Sequence, residues 1–383
     1  MNPSPESHLL TDLLFQLVSI DSTNPDLVPG GAGEGEISRF VQQWFEGHGI
    51  QAVRQEIQPG RFNVLATVKG SGGGKTLLLN AHMDVVGTSG MTDPFVPQIE
   101  GGRMYGRGTY DMKGGLAACM VALLHARDLG LSGDVVLTAV ADEEYASIGL
   151  EALLEDLHAD AAIVTEPSGL ELCVAHKGFS WHQVTTHGKA AHGSRPDLGK
   201  DAILHMGHVL LGLETYAKTL QTRAPHPLLG HGSVHASLIS GGQELSSYPE
   251  RCELHIERRT LPGETLQDVE QEMQAFLQEV CNQKPEGTLD FSSGLFRDAF
   301  EVPSNHPFVD LLREKAAAVL GEVPKTTGMT FWMESALLQS KGIPTVVFGP
   351  SGSGAHALEE WVDLKSVQLC CEVLTETIRG FCQ

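Results

Sequence analysis

Leu77-Leu78-Leu79-Asn80-Ala81 running into His82-Met83-Asp84 decides the fold, together with two later stretches built on the same plan. Asp134-Val135-Val136-Leu137-Thr138-Ala139-Val140 runs into Asp142-Glu143-Glu144, and Ala161-Ala162-Ile163-Val164-Thr165 runs into Glu166-Pro167. A short continuous apolar run closed by polar groups reads as a buried parallel strand whose carboxyl end points at a site. In open α/β sheets that edge is where ligands bind. The expected fold class is therefore α/β, a mostly parallel sheet flanked by helices.

Working outward, Gly106-Arg107-Gly108-Thr109-Tyr110-Asp111-Met112-Lys113-Gly114-Gly115 precedes a helix-like stretch to about Leu129, which puts Asp111 in the loop entering that helix. A fourth run, Pro344-Thr345-Val346-Val347-Phe348, is followed by Gly349-Pro350-Ser351-Gly352-Ser353-Gly354-Ala355-His356. Two imidazoles and several carboxylates would then converge on one edge. Zinc takes such nitrogen and oxygen ligands and keeps a position for water in a catalytic site. If Asp111 bridges, one ion has His82 and Glu166 and the other Glu144 and His356. Two ions roughly 3.5 to 4 Å apart can hold a hydroxide and polarise a carbonyl. Glu143, not needed as a ligand, can take the water's proton and hand it to the leaving amine. Asp84 can hydrogen-bond the His82 ring and fix its tautomer.

These motifs, with Thr165-Glu166-Pro167 and Gly354-Ala355-His356, resemble in order the metal-binding motifs of the co-catalytic zinc amidohydrolases. That group includes acetylornithine deacetylase, succinyl-diaminopimelate desuccinylase and the carboxypeptidase G group. The resemblance implies a zinc-peptidase-like catalytic domain with His82, Asp111, Glu144, Glu166 and His356 as ligands of two divalent ions and Glu143 as the base. Zinc is the expected metal, and cobalt and manganese also suit the ligand set. Glu166 favours the deacylase and carboxypeptidase side, since the aminopeptidase branches tend to carry Asp there.

At 383 residues and 41% hydrophobic content the chain is long and apolar enough for two domains. No run approaches the roughly 18 apolar residues of a membrane span. Met1-Asn2-Pro3-Ser4-Pro5-Glu6 shows no basic region leading into an apolar stretch, so a cytoplasmic protein is expected. Seven cysteines form an odd set without zinc-ribbon spacing, which reads as buried free thiols. A formal net charge of -22 argues against nucleic acid as a partner.

Apolar residues at helical spacing mark helices over His8 to Ser19 and from Ile37 to Phe45, with His48 as a capping residue. Gly70-Ser71-Gly72-Gly73-Gly74-Lys75-Thr76 imitates a phosphate-binding loop, but Lys69 stands where the first glycine is required and a strand follows instead of a helix. It reads as a hairpin loop.

From about Lys177 the pattern changes to strand, helix, strand, strand, helix, strand, the order of a ferredoxin-like unit. The expected domains are residues 1–177 and 294–383 for the catalytic part and 178–293 for an inserted α+β lid. In the resembled family such an insert pairs two subunits, which implies a homodimer. Gly188-Lys189-Ala190-Ala191-His192-Gly193-Ser194-Arg195-Pro196 resembles the loop whose histidine reaches into the partner's site, so His192 is expected to steady an oxyanion. Alternation in Leu254-His255-Ile256-Glu257-Arg258-Arg259 separates the two arginines. Arg259 matches the family arginine for the substrate's α-carboxylate, and Arg258 is expected at an interface or the surface. Ser246 and Glu334 depart from residues common in relatives, in segments where substrate recognition is expected. Glu359 and Glu360 are expected as ordinary acidic residues at a helix start, in a segment that resembles the family's support behind the metal histidine.

The resemblance thus implies a two-metal amidohydrolase that removes an N-acyl group from a small N-acyl amino acid, acetylornithine first, as a step of arginine biosynthesis. A desuccinylase or a carboxypeptidase or dipeptidase shares the same metal set. A catalytically silent metal- or ligand-binding homologue is a remote alternative, since it has no chemical need for Glu143.

Overall fold

The computed structural model describes residues 5–283 and 287–383. They divide into two units. The first comprises the described residues of Met1–Val174, Val302–Thr327 and Met333–Gln383, and the second those of Ala175–Glu301 and Gly328–Trp332.

In the first unit the sheet runs in the order Gln51–Gln58, Arg61–Val68, Val135–Val140, Leu77–His82, Ala161–Val164, Thr345–Val347, then residues 172–174. Its four central strands are the four apolar runs, and they are mutually parallel, with Leu77 opposite both Val135 and Ala161, and Val346 opposite Ile163. The outer strands on both sides pair antiparallel, so the sheet is mixed. All six residues of Leu77–His82 are buried, which is why that strand is an unbroken apolar run and does not alternate.

Helix Gly114–Ala126 is buried along nearly its whole length. It begins on glycine because a Cβ at Gly115 would lie 2.1 Å from the Thr165 carbonyl oxygen. Leu364–Phe381 packs on it and buries Val367, Cys370, Cys371, Leu374 and Ile378, a stripe at helical spacing; it is capped by Asp363, which accepts the Ser366 N–H at 2.7 Å.

The Gly70–Lys75 stretch is not a hairpin. Arg61–Val68 and Leu77–His82, which it joins, are separated in the sheet by Val135–Val140. The loop instead lies on the turn before that middle strand, with Ser71 and Gly72 N–H donating to the Leu131 and Ser132 carbonyls at 2.9 and 2.8 Å.

The second unit follows the β-α-β-β-α-β order, with helices Ala202–Gln221 and Leu266–Gln283 and a four-stranded antiparallel sheet ordered Ser233–Gly241, Arg251–Thr260, Gly178–His187, Thr288–Arg297. Its core joins Val184, Leu254 and Ile256 of the sheet to Met206, Val209, Leu213, Val269, Met273 and Leu277 of the helices. No helix among the described residues is long and apolar enough to cross a membrane. All seven cysteines are free, and only Cys281 is not fully buried.

Candidate metal centre

The carboxyl ends of the parallel strands bring His82, Asp111, Glu143, Glu144, Glu166 and His356 together. His82 Nδ1 donates to the Asp84 backbone carbonyl at 2.9 Å. A neutral ring so held presents the Nε2 lone pair to the site, as a metal-ligating histidine must. That nitrogen lies 3.3 Å from Asp111 Oδ1, 3.4 Å from Glu166 Oε1 and 3.8 Å from Glu143 Oε2. On the other side, His356 Nε2 lies 3.0 Å from Glu144 Oε2 and 3.4 Å from Asp111 Oδ2. Asp111 thus turns one oxygen to each histidine.

Two ligand groups result, His82–Asp111–Glu166 and Asp111–Glu144–His356, each with its ligand atoms within 4.8 Å of one another. The donor set is imidazole nitrogen and carboxylate oxygen throughout, which suits zinc and its borderline neighbours. Among the described residues Glu144 Oε1 is buried without a hydrogen-bond partner, a position whose unmet demand a cation would satisfy. The residues present therefore fit a pair of divalent ions.

The electrostatics are those of a crowded anionic site. Burial raises the Glu143 pKa well above the usual carboxylate range, and the Glu166 charge adds to it. Burial and the neighbouring Asp111 bring Glu144 to about 7. Burial alone would raise Asp111 too, but hydrogen bonds from His356 and His82 hold it below the ordinary value. His356, facing Asp111 and Glu144, is raised to about 10.

Residues 78–380 match the profile of Peptidase family M20/M25/M40. The chain belongs to that family. It is a metal-dependent hydrolase of amide C–N bonds, acting on small amino-acid or peptide substrates, in a family that binds a dinuclear metal centre. Acetylornithine deacetylase of Proteus mirabilis is 30% identical over 386 residues, covering 97% of this chain and 96% of the relative. Among solved structures, the metallo-carboxypeptidase Sso-CP2 of Sulfolobus solfataricus superposes with a TM-score of 0.80 at 19% identity over 99% of both chains. The dinuclear metal-binding peptidase YXEP of Bacillus subtilis does so with a TM-score of 0.75 at 17% identity over 98% of both chains. At these identities the two structures establish the M20 fold.

Some residues singled out in the sequence stand differently from that reading. The ring hydrogen bond expected of the Asp84 side chain is made by its backbone, and the carboxylate Oδ1 lies 3.6 Å from His82 Nδ1. Its oxygens instead accept the Glu143 and Glu144 N–H groups at 3.1 and 3.2 Å. Arg258 is fully buried and pairs with Glu264 at 2.6 Å, which overturns its surface assignment. Glu334 is also buried; its Oε2 accepts Asn80 Nδ2 at 2.7 Å inside the sheet, and burial pushes its pKa to about 8.

His192 and Arg259 belong to the second unit. His192 is exposed, and its Nδ1 accepts the Ser194 N–H at 3.2 Å, so the neutral ring carries its proton on Nε2. Arg259 is ion-paired to Glu257, with its guanidinium 5.4 Å from the Phe179 ring centre.

Glu360 was the residue most undervalued by sequence. It is buried, and its two oxygens accept Arg107 Nη1 and the N–H groups of Gly108, Tyr110 and Asp111. A glutamate shortly after His356 was the available signal, though acidic residues at a helix start are too common to single it out.

Proposed function

We propose that this M20 protein is a two-metal deacylase that removes the acyl group from an N-acyl amino acid, with acetylornithine as substrate and ornithine and acetate as products. The observation that carries the reading is the full-length likeness to the Proteus mirabilis acetylornithine deacetylase. His82, Asp111, Glu144, Glu166 and His356 are the metal ligands, zinc is the resident metal, and cobalt or manganese would fill the same groups.

Bound divalent ions supply a Lewis acid for the amide carbonyl and lower the pKa of water to the neutral range. Glu143 removes the proton from the attacking water and delivers it to the amide nitrogen as the C–N bond breaks, leaving acetate and the free amine. His192 of the partner subunit donates from Nε2 to the carbonyl oxygen as negative charge develops there. Arg259 grips the α-carboxylate, for which the planar guanidinium fork is suited.

A homodimer through the second unit is supported by Ser233–Gly241, the end strand of its sheet, which exposes Leu238 and Ile239 on the sheet margin. Free, mostly buried thiols support a reducing, cytoplasmic setting and a place in arginine biosynthesis goes with the substrate.

The test is free-amine release by zinc- or cobalt-loaded protein from Nα-acetylornithine, other Nα-acetyl amino acids, N-succinyl-diaminopimelate and dipeptides, with Glu143→Ala as the blank. Preference for acetylornithine is expected. Preference for the succinyl compound or a dipeptide would replace the substrate assignment, and wild-type turnover by Glu143→Ala would remove Glu143 as the base.

A further inference from the structure

Asn24 follows the first helix, is fully buried, and gives its amide group to two carboxylates at once: Asp84 Oδ2 at 2.8 Å and Asp142 Oδ1 at 3.0 Å. Its own Oδ1 accepts the Asp26 N–H at 2.9 Å, so the amide cannot be reversed without setting its oxygen against both carboxylates. Arg61 reaches the same Asp142 oxygen through Nη2 at 2.8 Å. Glu34 fixes that guanidinium in turn, accepting Nε and Nη2 at 2.8 Å each. Arg61 and Glu34 are both buried.

Both carboxylates held by Asn24 act on the turn that bears Glu143 and Glu144. Asp84 accepts the N–H of each. Asp142 has φ of 69°, a left-handed conformation disfavoured for a residue with a Cβ, and its carbonyl accepts the N–H groups of Tyr145, Ala146 and Ser147 at 3.3, 3.1 and 2.6 Å. A conformation of this kind persists only where its surroundings over-determine it. Here Arg61 and Asn24 supply the determination from the carboxylate side. An uncharged group with two donors is the means of drawing two anions together without neutralising either.

We propose that Asn24 is a positioning residue for amide hydrolysis: by tying Asp84 to Asp142 it sets where Glu143 and Glu144 stand, and Arg61 is the cation that keeps Asp142 in place. The inference rests on the assignment of Glu143 as base and Glu144 as ligand. Misplacement of a reacting group by about 1 Å from a change outside the chemistry costs on the order of 100-fold.

Asn24→Ala, Arg61→Lys and wild type are compared in three measurements: kinetics on the substrate hydrolysed best, the visible spectrum of the cobalt-loaded protein, and calorimetric titration with cobalt. For Asn24→Ala, kcat is expected to fall about 100-fold with KM held within about threefold. The cobalt spectrum is expected to shift, and the weaker cobalt ion to bind about 10-fold less tightly. Arg61→Lys, which keeps the charge but not the fork, is expected to fall between the two.

An Asn24→Ala protein with wild-type cobalt spectrum and affinity overturns the positioning role, whatever its melting temperature. If Asn24→Ala does not fold, Asn24→Ser, which keeps one donor, is read by the same criteria. Spectrum and affinity need no substrate. Failure of wild type to hydrolyse any compound would therefore count against the proposed function alone, and an unaltered cobalt site in the variant against the positioning role alone.

Discussion

Glu360 accepts the backbone N–H of Asp111 at 3.1 Å, so a carboxylate just past His356 holds the loop that carries the aspartate shared by both ligand groups. The same oxygen takes Tyr110 N–H at 2.9 Å, and the other takes Gly108 N–H at 3.0 Å and Arg107 Nη1 at 2.6 Å. Glu360→Ala would leave three backbone donors and one side of a buried guanidinium unmet. We expect destabilisation of about 3 to 5 kcal/mol by denaturant unfolding. We also expect metal affinity to fall about 10- to 100-fold, measured by titration with zinc. Unchanged affinity would show that the loop keeps its shape without Glu360.

Metal uptake should release protons. In protein stripped of metal, Asp111 and Glu144 raise the His356 pKa to about 10. Burial would lower His82, but the charge of Glu166 and its hydrogen bond with Asp111 outweigh it and raise the ring well above the ordinary 6.5. Both rings are then protonated at pH 7 and must lose a proton to bind metal. At least two protons per pair of ions are expected to be released, and Glu144, raised to about 7, adds to them. Calorimetry in buffers of different ionisation enthalpy reads this directly, and affinity should rise with pH from 6 to 8. A heat independent of buffer would mean that the rings are already neutral.

The parts of this fold that were legible in sequence are those where one physical demand dominates. A central parallel strand is covered on both faces, so Leu77–Leu79 and Val135–Leu137 had to be apolar, and the polar residues ending them could only be there for chemistry. Arg258 and Glu360 were not legible because a buried charge is recognised by its partners. Glu264, six residues on, is near Arg258 in sequence, but Tyr216 for Arg258 and Arg107 for Glu360 stand 42 and 253 positions away in the chain. Asn24 was hidden for the same reason: it is joined to Asp142 across 118 positions of chain. The Gly70–Lys75 loop misled because glycine-rich sequence announces a turn without saying which strands flank it.

His182 should make the second unit acid-sensitive. Its ring is buried between Ser293 and Ser180, with Nδ1 3.1 Å and Nε2 2.8 Å from their hydroxyls. Burial, opposed by Glu270 and reinforced by Arg258, lowers its pKa from 6.5 to about 4. Below pH 6.5 the unfolded chain takes up a proton that the folded ring refuses, so stability falls as pH drops and levels off below about 4. The full effect is on the order of 3 kcal/mol. The loss of stability from pH 7 to 4 should be larger in wild type than in His182→Gln by this amount. Parallel curves would mean that His182 accepts its proton in the folded state.

Arg258 and Arg259 are adjacent in sequence and should fail differently. Arg258 donates to Glu264 at 2.6 Å and to the Tyr216 hydroxyl at 3.1 Å from a fully buried position. Removing it leaves Glu264 and Tyr216 without that cation, so Arg258→Ala should cost about 3 to 5 kcal/mol in stability. Arg259 has a side chain 30% exposed and, among the described residues, is ion-paired to Glu257, so its loss should change stability by less than about 1 kcal/mol. If it grips the substrate's carboxylate, Arg259→Ala should raise KM by the loss of a charge-assisted pair, about 1.5 to 3 kcal/mol or roughly 10- to 150-fold, with kcat little changed. Denaturant unfolding and steady-state kinetics on both variants separate the two roles. An unaltered KM in Arg259→Ala would move the carboxylate contact to another cation.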